Sequence, residues 1–428
     1  MKLNKLYLPV LSVFLLASCS EGNGNEPGPD PTVLQDATIT VAVTSGDDLE
    51  TRTNEYPDIE GGNNAEKDLN NFAVIYAIGD EVVGYGYRDK KDYIDSTACV
   101  GLKAAANGTK YKMLVIANAG DGLIKKDGKV VDFTKAPSFS WSYYQDLLVE
   151  LKDQSPANSF VMTSLPTEIT VKPGFNYIGK GFFENREGQV VEECKSDDFN
   201  NGVYVHRVAA RVELWELSVN WKDEDLKGTS GLKFVLDSIF MSNVRESSHI
   251  IGENNILENT EAGYLYGGGK NSFEGEGSDI AISSQHVNFL GKALRTKGQK
   301  FEVKNNMTVK THGVYVSGST EDEEDATREN GFYVMENRGT DTTTLYLKGS
   351  LYDENGKLVL PDRYYRIPLT NKVERNHIYR IQATITGKGS YQPGENKENA
   401  DVDVKITLDD WIVNDFKIDP IDPTPINE

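Results

Sequence analysis

At 428 residues the chain is long enough to bury two ordinary hydrophobic cores. Its 45 Lys and Arg against 66 Asp and Glu give a formal charge of −21, which disfavours binding to nucleic acid phosphates or to an anionic lipid surface. Abundant Gly, Pro and Tyr beside enough Val, Ile, Leu and Phe for a core point to short strands and tight turns, while five His and three Cys leave little from which to build a metal site.

In chain order, Lys2 and Lys5, the apolar run 6–17 and the ending Leu16-Ala17-Ser18-Cys19 read as a secretory signal, too short to span a bilayer as a stable helix. A cysteine at the cut point resembles the lipobox of bacterial lipoproteins, in which Cys19 becomes the acylated first residue; an ordinary signal peptide with an incidental cysteine is the alternative. Residues 20–31, made of Gly, Asn, Glu, Pro and Asp, form a flexible tether. No later apolar run approaches the ~20 residues needed to cross a membrane, which places the rest of the chain outside the cytoplasm. In an oxidising compartment Cys99 and Cys194 are either a disulfide or two thiols, and their positions in sequence do not decide which.

Residues 37–44 alternate cleanly, with Ile39, Val41 and Val43 on one face and Thr38, Thr40 and Thr44 on the other, which predicts an amphipathic strand. A polar, acidic stretch follows with Arg52 as its solitary basic residue, so the bond between Arg52 and Thr53 is a natural site for a trypsin-like protease. Strands are then predicted over 72–77, 81–87, 111–117, 129–133, 168–171, 177–182 and 203–205, separated by turn signals such as Asp127-Gly128 and Pro173-Gly174. Tyr144, Leu147, Leu148 and Leu151 fall at helical spacing and predict a short helix over 141–152.

A second series opens at Val208. Val208, Ala210, Val212 and Leu214 share one face, and Leu217, Val219 and Trp221 take the other parity, which predicts a bulge near Trp215. Further strands are predicted over 232–244 and 309–317, a hairpin over 345–352 and 358–367 about the turn Asp353-Glu354-Asn355-Gly356, and closing strands over 377–386 and 402–408. The boundary between the two series is placed at 204–207.

Chemistry-bearing motifs are missing from the sequence: it has no G-x-S-x-G elbow, no H-E-x-x-H, no P-loop and no G-x-G-x-x-G after a strand. The acidic run 321–325 has neither the spacing nor the Gly of a calcium loop and reads as a solvated loop tip, and Gly267-Gly268-Gly269 lacks the strand and helix of a phosphate cradle. No enzyme activity, cofactor, metal or nucleic acid partner is expected.

The start Met1-Lys2-Leu3-Asn4-Lys5 with Cys19-Ser20, the stretch Arg207-Val208-Ala209-Ala210-Arg211-Val212, Gly331-Phe332-Tyr333-Val334-Met335-Glu336-Asn337, Arg375-Asn376-His377-Ile378-Tyr379-Arg380-Ile381 and Asp401-Val402-Asp403-Val404-Lys405-Ile406 followed by Trp411 resemble, in that order, the FimA-type fimbrillins of Bacteroidales, a family that includes the minor fimbrium subunit. The resemblance implies an all-β chain of two transthyretin-like β-sandwich domains with a short helix in the first and a C-terminal donor-strand extension. By it, residues 1–19 are a lipoprotein signal peptide, 20–52 a propeptide holding a detachable first strand, 53–206 and 207–408 the sandwiches, and 409–428 the donor. It further implies an outer-membrane lipoprotein precursor cut by an arginine-specific protease, and a cell-surface fimbrium whose partners are other fimbrial subunits, both copies of the same chain and accessory tip and anchor subunits. In the tail, Ile412, Phe416 and Ile418 share one parity and form the donor face, with Asn414 interrupting; a last strand of the second sandwich, with Trp411 in its core, is the alternative. A structural pilin is the expected function. A glycan-binding surface lipoprotein and a fimbrial anchor or tip are the alternatives.

Overall fold

The computed structural model describes residues 33–44, 69–89, 97–154, 159–179, 188–194, 202–252, 264–265, 291–293, 301–310, 332–339, 342–369, 372–392 and 401–410. Cys19, Arg52, Thr53, Ile412, Phe416 and Ile418 lie outside them, as do the acidic run 321–325 and the triple glycine 267–269. The described chain is all-β apart from short helical turns.

Its first half contains β1 (Gln35–Thr44), β2 (Asn71–Ile78), β3 (Glu81–Asp89), β4 (Thr97–Ala104), β5 (Thr109–Ala117), β6 (Ile124–Lys126), β7 (Lys129–Val130), α1 (Trp141–Gln145), β8 (Leu148–Glu150), β9 (Met162–Thr163), β10 (Thr167–Val171), β11 (Gly174–Ile178), β12 (Gln189–Val190), β13 (Val203–Tyr204) and β14 (His206–Arg207). One sheet runs β12-β11-β1-β13 with β4 also on β1, and the other runs β14-β9-β5-β2-β3 with β10 also on β5. Alternation puts Ile39 and Val41 of β1, Val100 and Leu102 of β4 and Phe72 and Val74 of β2 into one buried layer, so the two sheets face each other as a sandwich.

The second half contains β15 (Ala209–Val219), α2 (Glu224–Lys227), β16 (Lys233–Ser242), β17 (Val244–Arg245), β18 (Ser247–His249), β19 (Tyr264–Leu265), β20 (Gly291–Ala293), β21 (Phe301–Lys304), β22 (Met307–Lys310), β23 (Phe332–Met335), β24 (Thr344–Tyr352), β25 (Leu358–Pro368), β26 (His377–Ile385) and β27 (Val402–Asp410). A β22-β15-β26-β27 sheet, with β23 also on β15, packs against a β20-β16-β24-β25 sheet with β21 on β16. The β15–β26 register shifts between Leu214 and Glu216, the bulge expected at Trp215. The hairpin turn also forms as its sequence dictates: Asp353 Oδ1 accepts the Asn355 and Lys357 amides at 2.9 and 2.8 Å, and Gly356 takes the left-handed conformation at φ 76°.

The two halves share apolar packing and hydrogen bonds. Ala73, Ile75, Leu114 and Ile116, on the far side of the β2–β5 sheet, belong to the same buried cluster as Leu214, Phe234, Leu345 and Ile381 of the second half. β18 of the second half pairs with β8 of the first, and β8 with β6, so one small sheet bridges them. The expected helix over 141–152 is cut short by this bridge. α1 stops at Gln145, and the following residues alternate, with Leu147, Val149 and Leu151 buried. Strand partners on both sides of β8 satisfy its backbone, which outweighs the helical spacing of the leucines.

Candidate functional site: the slot of the first strand

β1 is an interior strand. It pairs antiparallel with β4 from Gln35 opposite Ala104 to Ala42 opposite Thr97, and parallel with β11 from Ala37 opposite Gly174 to Val41 opposite Ile178. Ile39 and Val41 are fully buried and Val43 nearly so, while Thr38 and Thr40 are half-buried on the outer face, the parity expected from the sequence. Each of the three β-branched side chains contributes about 1.5–3 kcal/mol by leaving water. Withdrawing β1 therefore strips two flanking strands of their hydrogen bonds at once and opens an apolar trough between the sheets.

Polar contacts fix the walls of this slot. Asn176, buried in β11, donates from Nδ2 to the carbonyls of Lys172 (2.7 Å), Gly174 (3.1 Å) and, on β1, Thr38 (3.3 Å), while its Oδ1 accepts the Lys172 amide at 3.0 Å. The same residue thus shapes the turn before β11 and holds β1. Tyr111 donates its hydroxyl to the Lys103 carbonyl at the end of β4; burial pushes this hydroxyl's pKa up, partly offset by that bond, so it stays protonated and donating. An exposed Lys103–Asp36 ion pair closes the mouth between β4 and β1. Cys99 faces outward opposite Thr40 as a free, exposed thiol. Among the described residues no group of His, Cys, Asp and Glu is arranged to hold a metal ion.

Residues 37–207, from β1 to the end of β14, match the family model described as Major fimbrial subunit protein (FimA). Over that span the chain is similar to the FimA family. The similarity continues beyond it: the chain is 24% identical to the major fimbrium subunit FimA type-2 of Porphyromonas gingivalis over 96% of its own length and 98% of that protein, and 24% identical to the type-5 subunit of the same organism over 98% and 100%. Among solved structures, a fimbrilin (fimA) from P. gingivalis W83 superposes with a TM-score of 0.55 at 16% identity over 88% of this chain and 98% of that one. A putative cell adhesion protein from Parabacteroides distasonis superposes with a TM-score of 0.53 at 18% identity over 89% and 100%. These structural likenesses establish the shared fold.

In this fold the structure unites Ile39, Val41 and Val43 in one buried row of β1. It also gathers three stretches that lie far apart in sequence. β15 pairs with β23 through Ala209 opposite Met335 and with β26 through Arg211 opposite Ile378, and the Asn376 amide donates to the Ala209 carbonyl at 2.9 Å. Sequence reasoning missed β4, the antiparallel partner of β1, because Ala98, Gly101 and Ala104 are weak strand formers. Its signal was the alternation of Ala98, Val100, Leu102 and Ala104, all buried. The role of Asn176 had no signal in sequence.

Proposed function

We propose that this chain is a structural subunit of a cell-surface fimbrium that polymerises by strand exchange. In this reading the precursor is delivered as an outer-membrane lipoprotein through Cys19, and an arginine-specific protease cuts between Arg52 and Thr53. β1 then leaves, and the C-terminal segment 409–428 of a neighbouring subunit fills the slot with Ile412, Phe416 and Ile418. Residues 53–206 and 207–408 act as the two sandwich units of the mature subunit, and accessory tip and anchor subunits complete the filament. The observation that carries the reading is the position of β1: an interior, apolar, hydrogen-bonded strand whose downstream connection holds a lone arginine. A strand so placed leaves a defect that only another strand repairs, which supplies a driving force for assembly.

The test is the N-terminal residue of subunits in filaments sheared from the cell surface, expected to be Thr53. Arg52→Ala is expected to leave intact precursor on the membrane and none in polymers. Filaments built from uncut Arg52→Ala chains would overturn the reading.

A further inference from the structure

β1 changes partner at one residue. It pairs with β11 up to Val41 and with β13 from Val43, where Val43 lies opposite Val203. Between these points Ala42 is fully buried against Gly179, Gly202 and Tyr177, on the face opposite the sandwich core. A Cβ on Gly202 would lie 2.3 Å from the Ala42 carbonyl oxygen and 2.9 Å from its Cβ; one on Gly179 would lie 2.9 Å from the Ala42 Cβ and 3.1 Å from the Gly202 Cα. Both glycines have positive φ, at 99° and 112°, the conformations that let one chain leave β1 and the next join it. Thr38 and Thr40, on the same face, are half-buried and have no such roof.

We propose that Gly179 and Gly202 form a size filter over the slot, so that a strand lies along its full length only if its residue at the Ala42 position is no larger than alanine. The inference rests on the strand-exchange reading and deepens it by naming what the slot admits. The chain's own first strand meets the requirement. From Trp411 to Glu428 there is no Gly, Ala or Ser, so the tail of a second copy seats at most three successive positions of its row Ile412, Asn414, Phe416 and Ile418 in the pockets of Ala37, Ile39 and Val41, stops at the filter and leaves the end of that row outside. The contacts of Val43 and Thr44 with β13 are then available to β1 alone. Before cleavage β1 thus outcompetes any tail, and the filter holds the subunit monomeric until its own strand is cut free.

The full-length chain tests this by hydrogen exchange of the Gln35–Thr44 amides. Ala42→Leu is expected to speed exchange there by roughly tenfold or more, through overpacking under the glycines. Ala42→Gly and the outer-face control Thr38→Leu are expected to stay within about threefold of the parent. Equal exchange in Ala42→Leu and parent, or an equal rise in Thr38→Leu, would overturn the filter. Strand exchange is read separately, by adding a fluorescent peptide of residues 409–428 to the parent and to Ala42→Leu. The filter requires more peptide on Ala42→Leu than on the parent. If β1 is loosened and no peptide binds either chain, the tail is not the donor, while the filter on β1 stands.

Discussion

The Arg375 guanidinium reaches across the chain: Nε and Nη2 donate to Glu336 Oε2 at 3.1 and 2.8 Å, Nη1 to the Ile250 carbonyl at 2.9 Å and Nη2 to the His249 carbonyl at 3.0 Å. Burial pushes its pKa down and the Glu336 carboxylate opposes this, so the charge persists inside the protein because its donors are satisfied. Ile250 in turn meets the first half, its carbonyl accepting the Thr163 hydroxyl and its amide donating to the Leu147 carbonyl. Arg375→Met keeps the bulk but leaves Glu336, only 4% exposed, with Arg338 as its remaining ion-pair partner and takes the guanidinium from two carbonyls. It is expected to cost about 3 kcal/mol, read as a lower midpoint in urea unfolding. Arg375→Lys, which lacks the planar fork, is expected to recover only part of this loss. Arg375 was legible as part of the stretch 375–381 and Glu336 as part of 331–337, but their meeting was not. No local pattern in either stretch encodes a contact across 39 positions of sequence.

Element by element, legibility followed side-chain parity. β1, β15 and β26 announce themselves by apolar residues at period two, and β2 and β5 by continuous apolar runs that the structure buries on both faces. β4 escaped because small residues alternate too quietly, and β8 because its leucines also fit a helix until β6 and β18 supply backbone partners. The slot was half legible: its occupant was plain, while its walls lay in β4 and in the Asn176 and glycine contacts, where sequence carries little signal. For β1 the structure makes a direct energetic claim. Ile39→Ala in the full-length chain removes a fully buried branched side chain from the centre of the first sandwich and is expected to cost about 3 kcal/mol. Thr40→Ala, on the half-buried outer face, is expected to cost under about 1 kcal/mol. Denaturant titration of both variants checks the contrast, and equal losses would mean that β1 is held by its backbone alone.

Across the whole molecule, the last described strand of the second half runs two residues into the segment 409–428, to Asp410. β27 pairs with β26 along its length, from Val402 opposite Ile385 to Asp410 opposite His377, and forms the edge of the β22-β15-β26-β27 sheet as described. Val402 is buried, and Val404 and Ile406 pack against the same cluster that runs back to the first half. The apolar residues of the tail follow this strand in sequence, and the proposed strand exchange gives them to a neighbour. If the segment is a donor, deleting residues 414–428 is expected to leave a folded monomer that melts within a degree or two of the parent. After cleavage at Arg52 the same deletion variant is expected to form no detergent-resistant ladders. A domestic last strand predicts the opposite pairing of results: a loss of a few kcal/mol in the monomer and ladders that still form once β1 is released. Melting curves and gels of one variant, taken together, decide between the two.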